Sequence, residues 1–249
     1  MKKQFLILAI TFITVVFISC SREKLEMPET PATTNEEIST SSSSIRPYVD
    51  PLFKNLEGWF KFNKNLKDAA GKLQDGVQWP VKRTGVIYTT DRKGNPNAAI
   101  KLDGNYAIDF PDVPQQDNTS MSIWIKRAGI YPDATIISPN GYGPRIDQNG
   151  DIFKGLVQNG WILPEVYSNN FPDRGWYHIV ITFNGVEMKM YVNGVLQGTY
   201  DDYPHSFESG NYHYFLATTL QGFWSGYADD LRFYSRTLTA SDVQALYNL

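Results

Sequence analysis

The sequence predicts an all-β fold, a jelly-roll sandwich of two antiparallel sheets with a short C-terminal helix. Three observations predict it. Many short segments alternate apolar and polar residues with period two, the mark of a half-buried strand. Asn-Gly pairs at 140–141, 149–150 and 159–160 punctuate them, and such a pair accepts the positive φ that a tight hairpin turn requires. Residues 174–200 read as a complete meander, with further Asn-Gly turns at 184–185 and 193–194. Stacking two sheets face to face is the natural way to bury so many half-apolar strands.

The elements follow in order. Residues 56–62 read as the first strand, with Trp59 in the core. Residues 98–102 and 106–110 read as a hairpin about Asp103-Gly104. Residues 119–126 set Met121, Ile123 and Ile125 against Ser120, Ser122 and Trp124. Short strands are expected at 135–138, 145–147, 152–157 and 162–167. The meander's first strand, from Trp176 to Phe183, is apolar on both faces and belongs inside a sheet covered on both sides. At the end of the chain Thr239 fits a helix N-cap, with Asp242 completing a capping box and Leu238 stapling onto Val243. Val243, Leu246 and Tyr247 then fall on one helical face.

The chain has 249 residues, 42% of them hydrophobic and 14% aromatic, enough for one large β domain. Its formal charge of −3, without a basic run, argues against nucleic acid, which needs Lys and Arg against phosphates. One cysteine and three histidines exclude a disulfide framework or a Cys-rich zinc site. Lys2 and Lys3 precede an apolar run over residues 5–18, a secretory signal shorter than the roughly 20 residues of a membrane span. Phe17-Ile18-Ser19-Cys20 resembles a bacterial lipobox, which implies acylation of Cys20. The expected organisation is a signal peptide over 1–19, a disordered Ser/Thr/Pro/Glu-rich tether over 20–46, and a folded domain over 47–249. The tether would reach ~30 Å. The expected location is the outer membrane, lipid-anchored and facing the cell exterior, with the periplasmic face as the alternative.

Three blocks resemble the laminin-G-like domains of the concanavalin A-like lectin/glucanase superfamily. They are Leu56-Glu-Gly-Trp-Phe-Lys-Phe62, then Trp176-Tyr-His-Ile-Val-Ile-Thr-Phe183 with Lys189-Met-Tyr-Val-Asn-Gly194, and Gly226-Tyr-Ala-Asp-Asp-Leu-Arg-Phe-Tyr-Ser-Arg236. They occur in family order and cover most of residues 50–249. The resemblance implies the fold; its members include lectins, adhesins, lyases and hydrolases. It also implies that Asp229, with Asp103, could hold a structural calcium ion, since alternation with Leu231 and Phe233 points Asp229 inward. The alternative is an aspartate satisfied by backbone N–H groups. His178 matches the family's strand histidine, read as a structural residue.

Glycoside hydrolysis needs two carboxyl groups about 5–9.5 Å apart. The hydrolase branch supplies them in a Glu-x-Asp-x-(x)-Glu pattern, and neither this pattern nor the lyase Gln-x-His motif occurs. Ligand binding would instead use aromatic platforms with a few polar neighbours. Tyr142, Trp161 and Trp224 fall on expected loops, with Arg145, Asn159 and Gln221 as hydrogen-bonding neighbours. Trp124 and Trp176 fall in strand patterns and are assigned to the core. The expected function is a non-catalytic, lipid-anchored glycan-binding or adhesive module of a Gram-negative envelope, its partner a polysaccharide or glycoconjugate. The alternatives are a protein-interaction subunit of an outer-membrane uptake complex, and a cryptic polysaccharide hydrolase or lyase.

Overall fold

Alternation is realised as strands across the described part of the folded unit, Pro47–Leu249. The computed structural model describes residues 50–80, 85–129, 131–158, 165–171, 174–201, 209–219 and 222–249. A 3-10 turn, Pro51–Phe53, leads into β1 (Leu56–Phe60), β2 (Val77–Trp79), β3 (Ile87–Thr89), β4 (Ala99–Asp103) and β5 (Ala107–Gln115). Then come β6 (Thr119–Arg127), β7 (Tyr131–Pro139), β8 (Gly143–Gly150), β9 (Ile152–Gln158) and β10 (Glu165–Tyr167). The meander supplies β11 (Trp176–Phe183), β12 (Met188–Val192) and β13 (Val195–Tyr200). The last part holds β14 (Gly210–Leu216), β15 (Thr218–Thr219), β16 (Gly222–Phe223), β17 (Ser225–Tyr234) and α1 (Ala240–Tyr247).

The strands form two large sheets. One runs β13-β12-β11-β6-β17-β4-β3, with β1 also paired to β17. The other runs β10-β9-β8-β7-β14-β5-β2. Between them Met121, Ile123, Ile125, Ile179, Ile181 and Phe233 of the first sheet meet Phe110, Ile146, Phe153 and Tyr214 of the second in one buried cluster. Gly155 of β9 marks a close approach: a Cβ there would lie 2.5 Å from Ile181 Cδ1 and 3.0 Å from Met190 Sδ.

A second, smaller core covers the outer face of the eight-stranded sheet. Leu52, Leu238, Val243 and Leu246 pack there on Val180, Tyr191 and Tyr234. The helix is capped as its sequence predicts: the Asp242 N–H donates to the Thr239 side chain and the Thr239 N–H donates to Asp242 Oδ2 at 2.8 Å. This layer explains why both faces of β11 are apolar.

Three expectations are corrected. Residues 98–110 do not form a hairpin: β4 and β5 lie in different sheets, so the chain crosses between layers at Gly104, whose φ is +78°. Trp59 lies outside the central core, half-buried on the outer face of β1, whereas Trp124 is buried as expected, stacked on His178 and Tyr247. Trp176 keeps partial exposure at the start of β11.

Candidate functional site

The outer faces of the two sheets differ. Both described helical segments sit on the eight-stranded sheet, and no described helix packs on the seven-stranded one. Backbone register arranges that open face in two rows. Thr135, Asp147, Lys154 and Tyr167 are successive partners across β7, β8, β9 and β10. Val77, Asp109, Phe215 and Ser138 are successive partners across β2, β5, β14 and β7. Six inter-strand steps make the face about 29 Å wide.

One end is charged. Asp147 is 2% exposed, and a carboxylate so buried must be paired. Arg145 holds it in a fork, Nε to Oδ1 and Nη2 to Oδ2, both at 2.8 Å, and Nη2 also reaches Thr135 Oγ1 at 2.8 Å. Lys154 Nζ lies 3.8 Å from Asp147 and 3.3 Å from Glu165. The Tyr167 hydroxyl donates to Glu165, while its ring is 48% exposed.

The other end is aromatic. Trp79, 47% exposed, meets Phe215 edge-on at 6.2 Å and Phe223 at 6.0 Å. His213 stacks on Phe215, and its Nδ1 lies 2.8 Å from Asp109 Oδ1. Aromatic faces can take the C–H side of a ring. The fixed donors and acceptors can take its hydroxyls.

Of the residues the sequence singles out, Arg145 lies on this face. Tyr142 precedes β8, packs partly against the central core and meets Tyr212 edge-on at 5.7 Å. Asn159, Trp161, Gln221 and Cys20 lie outside the described residues. Trp224 must be corrected: it is completely buried, with Nε1 donating to Gln148 Oε1 at 2.8 Å inside the sandwich. It sits between β16 and β17 and turns inward, so it offers no face to a ligand. Trp79 was missed because β2 has only three residues, too few for a periodic signal. The pairing of Asp109 with His213 spans 104 positions and has no sequence signature.

Asp229 also differs from its expected position. Asp230 has φ +50° and the β17–β6 register shifts between Asp229 and Arg232. This bulge breaks the alternation, so Asp229 pairs with Trp124 on the outer side while Leu231 turns into the core. Arg92 donates to Asp229 and, at 3.3 Å, to Asp230. Asp230 also accepts from Arg232 Nε at 3.0 Å and from the Trp59 indole. Burial raises Asp229 to about 6 despite Arg92. Burial also pushes Asp230 up, but Arg232, Trp59 and Arg92 more than offset it and leave that carboxyl below its usual value. These residues do not fit a calcium site. Asp229 already faces a guanidinium. Asp103 is exposed, pairs with Ser225 at the start of β17, four residues before Asp229, and accepts from the Asn105 N–H at 3.0 Å. Among the described residues no group of three or more His, Cys, Asp or Glu could hold a metal ion.

His178 is buried beside Trp124 and Tyr247, its Nε2 2.8 Å from Ser122 Oγ. Burial lowers it to about 3, so the ring is neutral.

Comparison with known proteins agrees with this architecture. Domain 4 of AbnA, an extracellular arabinanase from Geobacillus stearothermophilus solved in complex with arabinotriose, superposes with a TM-score of 0.64 at 21% identity. The match covers 78% of this chain and 98% of that one. The binding domain of botulinum neurotoxin serotype D/C VPI 5993 gives 0.64 at 16% identity over 79% of this chain. A type C neurotoxin structure, described as showing cell entry dependent on two ganglioside molecules, gives 0.63 at 15% over 79%. This chain spans about half the length of those toxin chains, 52% and 51%. No curated protein matches the sequence. The profile of a laminin G-like family, described as the concanavalin A-like lectin/glucanases superfamily, matches residues 102–244, more than half the chain. With the two-sheet sandwich and its antiparallel order, this shows that the chain belongs to the concanavalin A-like lectin/glucanases superfamily.

Proposed function

We propose that this chain is a lipid-anchored, non-catalytic glycan-binding module that engages a polysaccharide or glycoconjugate on the open face of its seven-stranded sheet. The observation that carries the reading is the pairing, on one face with no described helix over it, of exposed aromatic rings with a fixed row of charged hydrogen-bonding groups. Trp79 and Tyr167 supply stacking surface at its two ends; Arg145, Lys154, Glu165 and Asp109 supply polar contacts between them. The arabinotriose complex of the similar arabinanase domain supports a saccharide as ligand. Acylation at Cys20 would tether the domain to the outer membrane, with residues 20–46 holding it clear of the lipid.

A glycan array followed by calorimetry on the full chain tests the reading. Trp79→Ala should weaken binding about tenfold or more, equal to about 1.4 kcal/mol, with the melting temperature close to that of the parent. Tyr167→Ala should act in the same direction. Arg145→Ala is a poorer probe, because it removes the bidentate partner of buried Asp147, leaving only Lys154 at 3.8 Å, and so changes stability as well as binding. Binding unchanged in both aromatic variants would remove this site. Palmitate labelling lost in Cys20→Ser would support the anchor, and labelling retained would refute it.

A further inference from the structure

On the opposite side of the sandwich lies a second concavity. A cleft of about 340 Å³ opens between the 3-10 turn, β1, the loop from β3 to β4, and β17. That volume falls within the range of small-ligand sites. Its floor is the Arg92, Asp229, Asp230 and Arg232 network, whose side chains are at most 12% exposed. Its wall is aromatic: Phe53, 51% exposed, meets Trp59 edge-on at 5.8 Å. Lys61 Nζ lies 3.8 Å from the centre of the Trp59 ring and the Arg232 guanidinium 4.4 Å from it, so Phe53 offers the freer aromatic face. Lys93 Nζ donates to the Leu249 carbonyl, and Asp50, Asn63, Asp91 and Asn95 complete the polar lining.

Charge decides what such a cleft can take. The lining side chains carry four cations and four carboxylates, so their charges cancel and an anionic ligand gains nothing from the net field. A hydroxyl both donates and accepts, and can join a guanidinium–carboxylate pair without unbalancing it. A ring with an apolar C–H face and an edge of hydroxyls therefore matches an aromatic wall beside a neutral polar floor. The floor is also preorganised: Asp230 is held from three sides before any ligand arrives.

We infer that this cleft is a second saccharide site, selective for uncharged sugar units, and that the domain is bivalent. The inference rests on the glycan-binding reading above, and adds a separate site to it. The two sites open on outer faces of sheets whose backbones are about 10 Å apart, so both can be filled at once, by two glycan chains or by two parts of one.

The test is calorimetry of the full chain in detergent with arabinotriose, xylotriose and cellotriose, and with trigalacturonate as the charged control. A neutral trisaccharide should bind at two sites, with Phe53→Ala removing one and Trp79→Ala the other. Phe53 is exposed, so its loss should leave folding intact. As an independent reading, the Trp59 indole N–H resonance should shift on titration in the Trp79→Ala background. A stoichiometry of one, with Phe53→Ala silent and the Trp59 resonance unmoved, would overturn the cleft while leaving the open face standing. Binding lost in Phe53→Ala but intact in Trp79→Ala would keep the cleft and remove the open face. Trigalacturonate binding more tightly in the cleft than the neutral sugars would overturn the charge argument. No binding of any sugar would overturn both sites.

Discussion

Asp229 and His178 lie on the same outer face and respond to pH in opposite senses. The Asp229 carboxyl sits at about 6 in the fold, against about 3.9 when unfolded. Between those values the folded chain binds more protons, so this group's contribution falls as pH rises. His178 sits at about 3, against about 6.5 unfolded. There the unfolded chain binds more protons, so its contribution grows as pH rises. Each contributes at most about 1.4 kcal/mol per pH unit, and from about pH 4 to 6 they oppose one another. Urea unfolding at several pH values should therefore show a steeper rise in stability for Asp229→Asn than for the parent. Equal slopes would show that the Asp229 carboxyl is not displaced. Asp230 acts lower: its folded value is depressed, so its contribution is present above about 3.9 and lost as pH falls.

At the scale of elements, α1 is short and depends on its cap and its packing. Eight residues cannot form a stable helix alone in water, so the Thr239–Asp242 box and burial of Val243 and Leu246 must hold it. Thr239→Ala should cost about 1 kcal/mol, and Leu246→Ala about 2–5 kcal/mol, read as shifts in urea midpoint. If Leu246→Ala left stability unchanged, the second core would not be contributing. This helix was legible in the sequence because a capping box is local: four adjacent residues contain all its donors and acceptors. The bulge at Asp230 was not legible, because period-two alternation carries no mark of one extra residue.

At the scale of the molecule, the spacing of the two sheets is set where a side chain is absent. Gly155→Ala would drive a methyl into Ile181 and Met190, an overpacking that should cost about 1–3 kcal/mol. A parent-like melting temperature for that variant would mean the sheets can part without penalty. Half of the described strand pairings join segments distant in sequence, and topologies rich in such pairings fold in milliseconds to seconds. The two outer faces follow from the same stacking. One receives the helix and a small core, and the other keeps Trp79, Tyr167 and the Arg145–Asp147 fork at its surface.

The sequence alone determined the strands, most turns, the helix and the superfamily, because each rests on contacts within a few residues or on short blocks of adjacent positions. Only the tertiary structure decided which strands share a sheet, that residues 98–110 cross between layers, and that Trp224 turns inward. It also brought Arg92 to Asp229 across 137 positions and His213 to Asp109 across 104. The physical reason is that a strand's side chains alternate by local geometry, whereas the partner opposite each one is set by how distant strands align.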